Sequence, residues 1–209
     1  MQTRRFWLGT ALAVVVSVTG CGGGDNGNGA LALGLKPHKI IIDSDYNTMS
    51  DDGQLGVMAA QLQAKGVVQV MGITVVSGNQ WLAQGVSDAL RSVERLGVGE
   101  RIGVYAGANL AYHHSYADIQ TELAAGAGGD GYLGAWSSAE PLTVADLKPT
   151  PDGFASRTQV QSKSAVDFIV DTVKANPHEI TILAIGPLTN IALATQRNPE
   201  IVPLIKRII

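Results

Sequence analysis

Four aspartates crowd the end of a short apolar run near the start of this 209-residue chain. The run Ile40-Ile41-Ile42 leads into Asp43, Asp45, Asp51 and Asp52. A buried strand needs no acids at its end, so the crowding indicates a cation or a reaction that offsets carboxylate repulsion. Ligands of open α/β sheets also sit at the carboxyl ends of the strands. The alternative interpretation is a solvated acidic turn that caps the next helix.

Strand-like and helix-like segments alternate along the chain and must position these acids. Apolar, β-branched runs predict strands at 39–43, 67–76, 102–105 and 180–185, with another at the end of the chain. Apolar residues at helical spacing predict helices at 52–64, 83–96, 164–175 and from 191. The alternation predicts a doubly wound α/β fold, with a mainly parallel sheet and helices on both faces. Residues from about 109 to 157 lack periodicity, which predicts a functional loop or lid.

The composition limits the class of protein and its partners. With 45% hydrophobic residues, 16% charged residues and a net charge of -3, the chain fits one soluble domain with a sizeable core. Lys and Arg are few and scattered, which excludes a nucleic-acid interface. Sparse aromatic residues also argue against a platform on which single-stranded bases could stack.

The N-terminus has the form of an export signal. Arg4-Arg5 precede a short apolar stretch, and Val18-Thr19-Gly20-Cys21 resembles the bacterial lipobox, so we expect a signal peptide over 1–20 and lipidation of Cys21. Residues 21–36 then form a Gly-rich tether, and 37–209 form the domain. This predicts an exported protein anchored by lipid to a bacterial membrane. The alternative is an ordinary secretory signal with an incidental cysteine.

Several segments of the domain resemble one enzyme family. They are Asp43-Ser44-Asp45 with Asp51-Asp52, Ile73 to Asn79, and Ala184-Ile185-Gly186-Pro187-Leu188-Thr189-Asn190 to Ala194, with weaker matches at Tyr105-Ala106-Gly107 and Asp130 to Gly134. In this order they are similar to the inosine–uridine-preferring nucleoside hydrolases, which cut the N-glycosidic bond of ribonucleosides. The resemblance covers roughly Pro37 to Ile209.

The resemblance implies a calcium ion at the carboxyl end of the sheet. Asp45 and Asp52 resemble the metal-ligating carboxylates, and Thr189 resembles the residue whose backbone carbonyl also binds the ion. Asp43 resembles an acid that supports these ligands without binding the ion itself. Calcium suits such a set because it takes six to eight hard oxygen ligands in irregular geometry.

The resemblance also implies a mechanism and a substrate. A calcium-bound water would attack the sugar carbon, with Asp45 as the candidate base. Asp51 and Asn79 resemble the groups that bind the ribose hydroxyls. Trp81 either walls the pocket or packs the next helix. The substrate would be a small-molecule ribonucleoside, and because relatives are often dimers or tetramers, a homo-oligomer is expected.

The chain departs from the family pattern at two places. Tyr46 to Ser50 make the aspartate loop longer than in the commoner signature, and Met49 stands where relatives with a longer loop carry an acid. Met49 has no hard oxygen for calcium, so we expect it to fill the core. The chain ends at Ile208-Ile209, before the family's second half supplies another Asp ligand. We therefore expect an N-terminal portion of the domain, truncated at the C-terminus.

Two other functions remain open from the residues. Asp43-Ser44-Asp45 also fits the strand-terminal Asp-x-Asp of haloacid-dehalogenase-type phosphatases, which use magnesium and a covalent aspartate, although Thr48 falls one position late. A non-catalytic, lipid-anchored binder of nucleosides or ribose is the second alternative. Met49 and the position of the last residue favour that binder.

Overall fold

Five parallel strands form one sheet in the computed structural model, which describes residues 34, 36–126 and 133–209. The sheet order is β3-β2-β1-β4-β5, and every neighbouring pair is parallel. The strands are β1 His38–Ser44, β2 Val68–Val75, β3 Val104–Ala106, β4 Thr181–Ala184 and β5 Arg207–Ile208. β1 is therefore the central strand, and its carboxyl end carries the first two predicted acids.

The helices lie on both faces of the sheet, which confirms the doubly wound α/β prediction. They are α1 Asp51–Ala64, α2 Leu82–Arg95, α3 Tyr116–Ala124, α4 Ala165–Ala175 and α5 Thr189–Arg197. Short 3-10 turns cover Gly134–Ser137, Val144–Asp146 and Pro199–Leu204. Residues of α1 and α2 pack with one face of the sheet, and residues of α4 and α5 pack with the other.

The central strand serves both cores by alternation. Ile40 and Ile42 pack in the first core with Val93 of α2, whereas Ile41 packs in the second with Ile169 of α4. Successive side chains of a strand point to opposite faces, so a continuous apolar run is what a strand covered on both sides needs. The same burial fixes the register of β1 and hence the place where Asp43 leaves the sheet.

The buried face of α1 is formed by small residues. Gly56 and Ala59 are buried there, while Met58 and Leu62 are 57% and 38% exposed. Small residues let the helix approach the sheet closely, and this turns the larger apolar side chains outward. Met49 is 79% exposed, so the expectation that it fills the core is wrong.

The long segment at 109–157 contains a helix that its weak periodicity did not predict. Ser115 caps α3, accepting the N–H of Asp118, while the Asp118 carboxylate accepts the N–H of Ser115. This reciprocal pair is a capping box, which stabilises a helix start without any apolar face. No residue of α3 is buried, which explains why hydrophobic spacing could not reveal it.

A buried glutamate fastens the end of this segment to α2. The carboxylate of Glu94 accepts the backbone N–H groups of Ser156 at 3.1 Å, Arg157 at 2.7 Å and Thr158 at 2.9 Å. The guanidinium of Arg91 pairs with the same carboxylate at 2.9 Å. We call this arrangement of Glu94, Arg91 and residues 156–158 the loop clamp.

Two further contacts hold the segment along the same helix. The side-chain amide of Gln84 donates to the carbonyl of Lys148 and accepts its N–H, each at 2.8 Å. Arg91 and Arg95 both pair with the carboxylate of Asp152, and Nε of Arg95 donates to it at 2.8 Å. The segment is therefore tied to α2 over several turns.

None of the helices in the described ranges combines the length and apolar character needed to cross a lipid bilayer. The predicted signal peptide at 1–20, Cys21 and most of the tether at 21–36 lie outside those ranges, as does most of Asp130 to Gly134.

Candidate functional site

The predicted site residues follow the carboxyl ends of the three central strands. Asp43 is the next-to-last residue of β1, Asn79 follows β2, and Gly186 follows β4. β1 pairs with β2 on one side and with β4 on the other. The chain builds the sheet outward from β1 to β3 and then returns to add β4 and β5 on the opposite side, so the strand order reverses at β1. Open α/β sheets bind ligands in the crevice at such a switch point.

Asp45 lies buried in a cradle made by two glycines. Its Oδ2 accepts the backbone N–H of Asn79 at 2.7 Å. A Cβ on Gly78 would overlap that oxygen, and a Cβ on Gly186 would lie 2.9 Å from Oδ1. Glycine at both positions lets the exits of β2 and β4 close around the carboxylate.

The pKa of the Asp45 carboxyl is raised above its ordinary value. Burial is the main cause, opposed by the hydrogen bond from Asn79 and reinforced by the negative charges of Asp52 and Asp51. A carboxylate held in this way is more basic than an exposed one and attracts a cation more strongly.

Asp52 is the most heavily hydrogen-bonded acid of the cluster. Its Oδ1 accepts the hydroxyl of Ser44 at 2.6 Å, and its Oδ2 accepts the hydroxyl of Ser50 at 2.6 Å. Oδ2 also accepts the N–H of Asn47 at 3.1 Å and the amide of Asn79 at 3.4 Å. Ser50 is the N-cap of α1, which places Asp52 in the first turn, where a helix favours negative charge.

Asn79 joins the two predicted carboxylate ligands. Its backbone N–H binds Asp45 and its side-chain amide binds Asp52, so the structure brings these three residues together. Asp51 is exposed at the first position of α1, and its charge acts on Asp45. Thr189 is buried at the start of α5, three residues after Gly186, which packs on Asp45. The roles given to these residues stay predictions.

Asp43 is buried within β1, two residues before Asp45. Its Oδ1 accepts the hydroxyl of Thr74 at 2.5 Å and the amide of Asn190 at 2.9 Å. Its Oδ2 is buried and has no hydrogen-bond partner among the described residues. Burial raises the pKa of Asp43 to about 6, against the lowering effect of the two hydrogen bonds, and the charge of Asp45 adds to the rise.

An aromatic cavity opens beside this cluster. It has a volume of 690 Å³ and is lined by residues that follow β2, precede α3 and form the 3-10 turn at 134–137, among them Trp81, Tyr112, His113, His114, Tyr116, Trp136 and Glu140. A second cavity of 140 Å³ shares Ala111 and Trp136 with it and reaches Gly78 and Pro187. The two cavities link the glycine cradle of Asp45 to the aromatic side chains.

Hydrogen bonds fix the wall of this cavity to the exit of β2. The indole N–H of Trp81 donates to the carbonyl of Ser138 at 2.9 Å, and the N–H of Ala135 donates to the carbonyl of Gly78 at 2.8 Å. The amide of Asn109 donates to the carboxylate of Glu140 at 2.5 Å. Trp81 therefore lines the cavity and also directly precedes α2, so both of its interpretations stay open.

The donor set present here suits a hard cation. Asp45 and Asp52 supply carboxylate oxygens, the ligand type that calcium prefers, and they belong to one hydrogen-bonded unit through Asn79. The glycine cradle lets the backbone at Gly78 and Gly186 pack directly against Asp45. Within the described ranges, no group of three or more His, Cys, Asp or Glu side chains is placed to hold a metal ion. The residues therefore fit part of a calcium site.

Sequence reasoning missed the residues that hold the acids in place. Ser44 and Ser50 bind Asp52, while Thr74 and Asn190 bind Asp43. A signal for Thr74 does exist, because it is a fully buried polar residue within the apolar strand β2. Asn190 belongs to a motif that marked the family, but its role depends on contacts with residues far away in the sequence.

Comparisons with known proteins identify relatives of the whole described domain. The family model for inosine-uridine preferring nucleoside hydrolase matches residues 40–209. The pyrimidine-specific ribonucleoside hydrolase RihB of Escherichia coli O9:H4 (strain HS) is 31% identical over 175 residues, which cover 84% of this chain and 47% of that protein. The chain thus spans about half the length of the curated relatives it matches.

Solved structures give the same result. A plant nucleoside hydrolase, PpNRh1, matches with a TM-score of 0.56 and 26% identity over 83% of this chain and 47% of that one. A purine-preferring ribonucleoside hydrolase from Gardnerella vaginalis matches with a TM-score of 0.56 and 28% identity over 81% of this chain and 47% of that one. The nucleoside hydrolase fold is therefore present over the part that this chain shares with each of these solved structures.

Proposed function

This chain belongs to the inosine-uridine-preferring nucleoside hydrolase family, and we propose that it acts in the hydrolysis of ribonucleosides to free base and ribose. The observation that carries the proposal is the unit of Asp45, Asp52 and Asn79 at the carboxyl ends of β1 and β2, next to an aromatic cavity. A polar cluster beside an aromatic cavity matches a ligand with a hydroxyl-rich half and a planar half.

The sugar would bind at the acid cluster. Asp51 is exposed and can accept hydrogen bonds from ribose hydroxyls, while the amide of Asn79 already points at Asp52 and can serve both partners. Binding of the sugar at two points would fix the reacting carbon, which is the orientation effect that lowers the barrier.

The base would then extend toward the aromatic cavity. Trp81, Tyr116 and Trp136 line it, and rings of this kind hold planar bases by stacking. Tyr116 and Trp136 already contact each other edge to face, with ring centroids 6.0 Å apart. The cavity is large enough for the base together with water that solvates the leaving group.

Asp45, Asp52 and the carbonyl of Thr189 would hold calcium, with Asp43 supporting Asp45 from within the sheet. When bound, calcium would lower the pKa of a water and orient hydroxyl oxygens. Asp45 would take the proton of the attacking water at a carboxylate oxygen. Charge that develops on the ribose ring would be offset by the surrounding carboxylates.

The full chain should be tested for release of free base from inosine and uridine in the presence of calcium. Asp45→Asn keeps the size of the side chain and removes the base, so we expect base release to fall by roughly 10²- to 10⁴-fold. Asp171→Asn is the matched control, because Asp171 is an exposed acid of α4 that pairs with Lys163. Equal rates for parent and Asp45→Asn would contradict the proposal.

The same assay separates the two alternatives. Hydrolysis of p-nitrophenyl phosphate with magnesium, without release of base, would favour the phosphatase. A rise in Tm with inosine or uridine, again without release of base, would favour the non-catalytic binder. Calcium dependence of base release distinguishes the proposed hydrolase from both.

We also propose that the protein is exported and anchored to a bacterial membrane through lipid on Cys21. The support is the order of the N-terminal segments: two arginines, an apolar stretch, then Gly20-Cys21 and a Gly-rich tether. Labelling with a radioactive fatty acid should mark the parent and not a Cys21→Ala variant. Equal labelling of both would contradict the anchor.

A further inference from the structure

One fully buried asparagine connects three strand ends to the start of a helix. Nδ2 of Asn190 donates to Oδ1 of Asp43 at 2.9 Å and to the carbonyl of Val75 at 3.2 Å. Its Oδ1 accepts the N–H of Ala108 at 2.8 Å. The three partners lie at the exits of β1, β2 and β3, and Asn190 itself lies in the first turn of α5.

The fold leaves space for this side chain by placing glycine at position 107. A Cβ on Gly107 would overlap Oδ1 of Asn190 and would lie 2.5 Å from the carbonyl of Val75. Glycine there lets the exit of β3 close onto the asparagine. The Tyr105-Ala106-Gly107 motif and the Gly186 to Asn190 motif, which lie far apart in the sequence, therefore meet at one point.

Two partners of Asn190, and its own neighbour in the chain, lie within a few residues of proposed functional groups. Asp43 is two residues before Asp45, and Val75 is four residues before Asn79. Thr189, the proposed carbonyl ligand, precedes Asn190 directly. Backbone hydrogen bonds already join these exits in pairs, from the N–H of Val76 to the carbonyl of Ser44 at 3.0 Å and from the N–H of Ser77 to the carbonyl of Ala108 at 2.9 Å. A single side chain bonded to all three can set their relative positions.

We infer that Asn190 is a positioning residue, which aligns Asp45, Asn79 and Thr189 by bonding the exits of β1, β2 and β3 to the start of α5. The inference rests on the proposed function for its effect on calcium, but its structural part stands without it. Asn190 does not touch the ligand. It acts through Asp43, Val75 and Ala108.

The test compares Asn190→Ala with Asn176→Ala in the full chain. Asn176 is the matched control, since it also uses its side chain, accepting from Lys39 at 2.6 Å and donating to the carbonyl of Thr172 at 2.8 Å. It lies at the end of α4 and meets Lys39 at the amino end of β1, away from the strand exits. Two readouts are needed: calcium affinity from the rise in Tm on titration, and amide hydrogen exchange.

Asn190→Ala should lower the affinity for calcium by at least roughly tenfold, which is the effect of losing a group that supports metal ligands. It should also speed exchange at the amides of Ala108 and Asn79, because the second amide reports the contact with Asp45. Asn176→Ala should change neither readout, whatever its effect on Tm. Calcium affinity within twofold of the parent, with Asn79 exchange unchanged, would overturn the inference.

Two provisions keep the test decisive. If the parent binds no calcium, the proposed metal site fails, and the inference is then judged by exchange alone: faster exchange at both amides supports it, and faster exchange at Ala108 only overturns it. If Asn190→Ala does not fold, Gly107→Ala displaces the same side chain without removing it. That variant should also make hydrogen exchange at the amide of Asn79 faster than in the parent.

Discussion

Two buried carboxylates, Asp43 at the exit of β1 and Glu94 in the loop clamp, respond to the protein in opposite ways. Burial raises the pKa of Asp43 to about 6, whereas backbone N–H groups of residues 156–158 lower the pKa of Glu94 to about 2. Asp43 receives two hydrogen bonds on one oxygen, and its other oxygen has no partner in the described ranges. Glu94 receives hydrogen bonds on both oxygens.

The difference separates a carboxylate that fastens the chain from a cluster arranged for a ligand. At the loop clamp the fold supplies every donor, so negative charge is stable there without any other molecule. At the strand exits Asp43, Asp45 and Asp52 lie close together, and the charges of neighbouring acids raise the pKa values of Asp43 and Asp45. A bound cation would relieve this repulsion, and so would a proton on one of the acids.

The largest expected effect comes from removing an acid of the cluster. Asp52→Ala should weaken calcium binding by roughly 100-fold or more, because loss of residues behind the ligands alone costs 10- to 100-fold. The rise in Tm with added calcium measures the affinity. Asp52→Asn serves where the alanine variant fails to fold, since its amide oxygen can still accept one of the two serine hydroxyls and its NH2 group can donate to the oxygen of the other. Unchanged affinity in both variants would exclude Asp52 as a ligand.

Asp43→Asn tests the sign of the pKa shift at the strand exit. The folded pKa of about 6 lies above the ordinary 3.8, so protonation stabilises the fold below pH 3.8 and this contribution is lost as pH rises through 6. In the metal-free protein the loss should be about 3 kcal/mol. The variant cannot titrate, so its free energy of unfolding should gain about that amount relative to the parent between pH 4 and pH 8. Urea unfolding with a chelator measures this, and a constant difference across pH would contradict the shift.

Glu94→Gln tests the opposite sign at the loop clamp. The folded pKa of Glu94 lies below its ordinary 4.5, so its contribution is present above pH 4.5 and is lost as pH falls toward 2. The variant should melt at a lower temperature at pH 7, and the gap from the parent should close in acid. Trypsin should also cut faster after Arg157, whose N–H binds Glu94. Glu100→Gln, an exposed acid beyond α2, is the control and should match the parent.

The smallest effect is expected at the rim of the clamp. Arg95 is 39% exposed on its side chain and pairs with Asp152 at the surface. Water and salt screen such pairs, so Arg95→Gln should shift Tm less than Glu94→Gln does and should lose its effect in high salt. Melting curves at low and high salt measure this. A shift as large as that of Glu94→Gln would mean that the surface pair, and not the buried carboxylate, holds the segment.

The sequence predicted the sheet, its direction and the crowding of acids at one edge, because these depend on local runs of residues. Asp43, Asp45 and Asp52 follow the buried run of β1 and needed no distant partner to be noticed. The bonds from Asn190 to Asp43 and from Thr158 to Glu94 span 147 and 64 residues, and local patterns contain no information about them. Met49 was misjudged for a related reason: apolar character does not say which side chains the fold covers, and Met49 is 79% exposed in the loop before α1.

The segment between 138 and 158 is held largely through its main chain, together with the side chains of Glu140 and Asp152. Glu94 binds N–H groups of 156–158, Gln84 binds both main-chain groups of Lys148, and Trp81 binds the carbonyl of Ser138. A wall anchored in this way keeps its place when its own side chains are exchanged. Ser138 and Ala139 are therefore suitable positions for a randomised library aimed at the ligands of this cavity, with Glu140 and the anchoring residues of α2 left untouched.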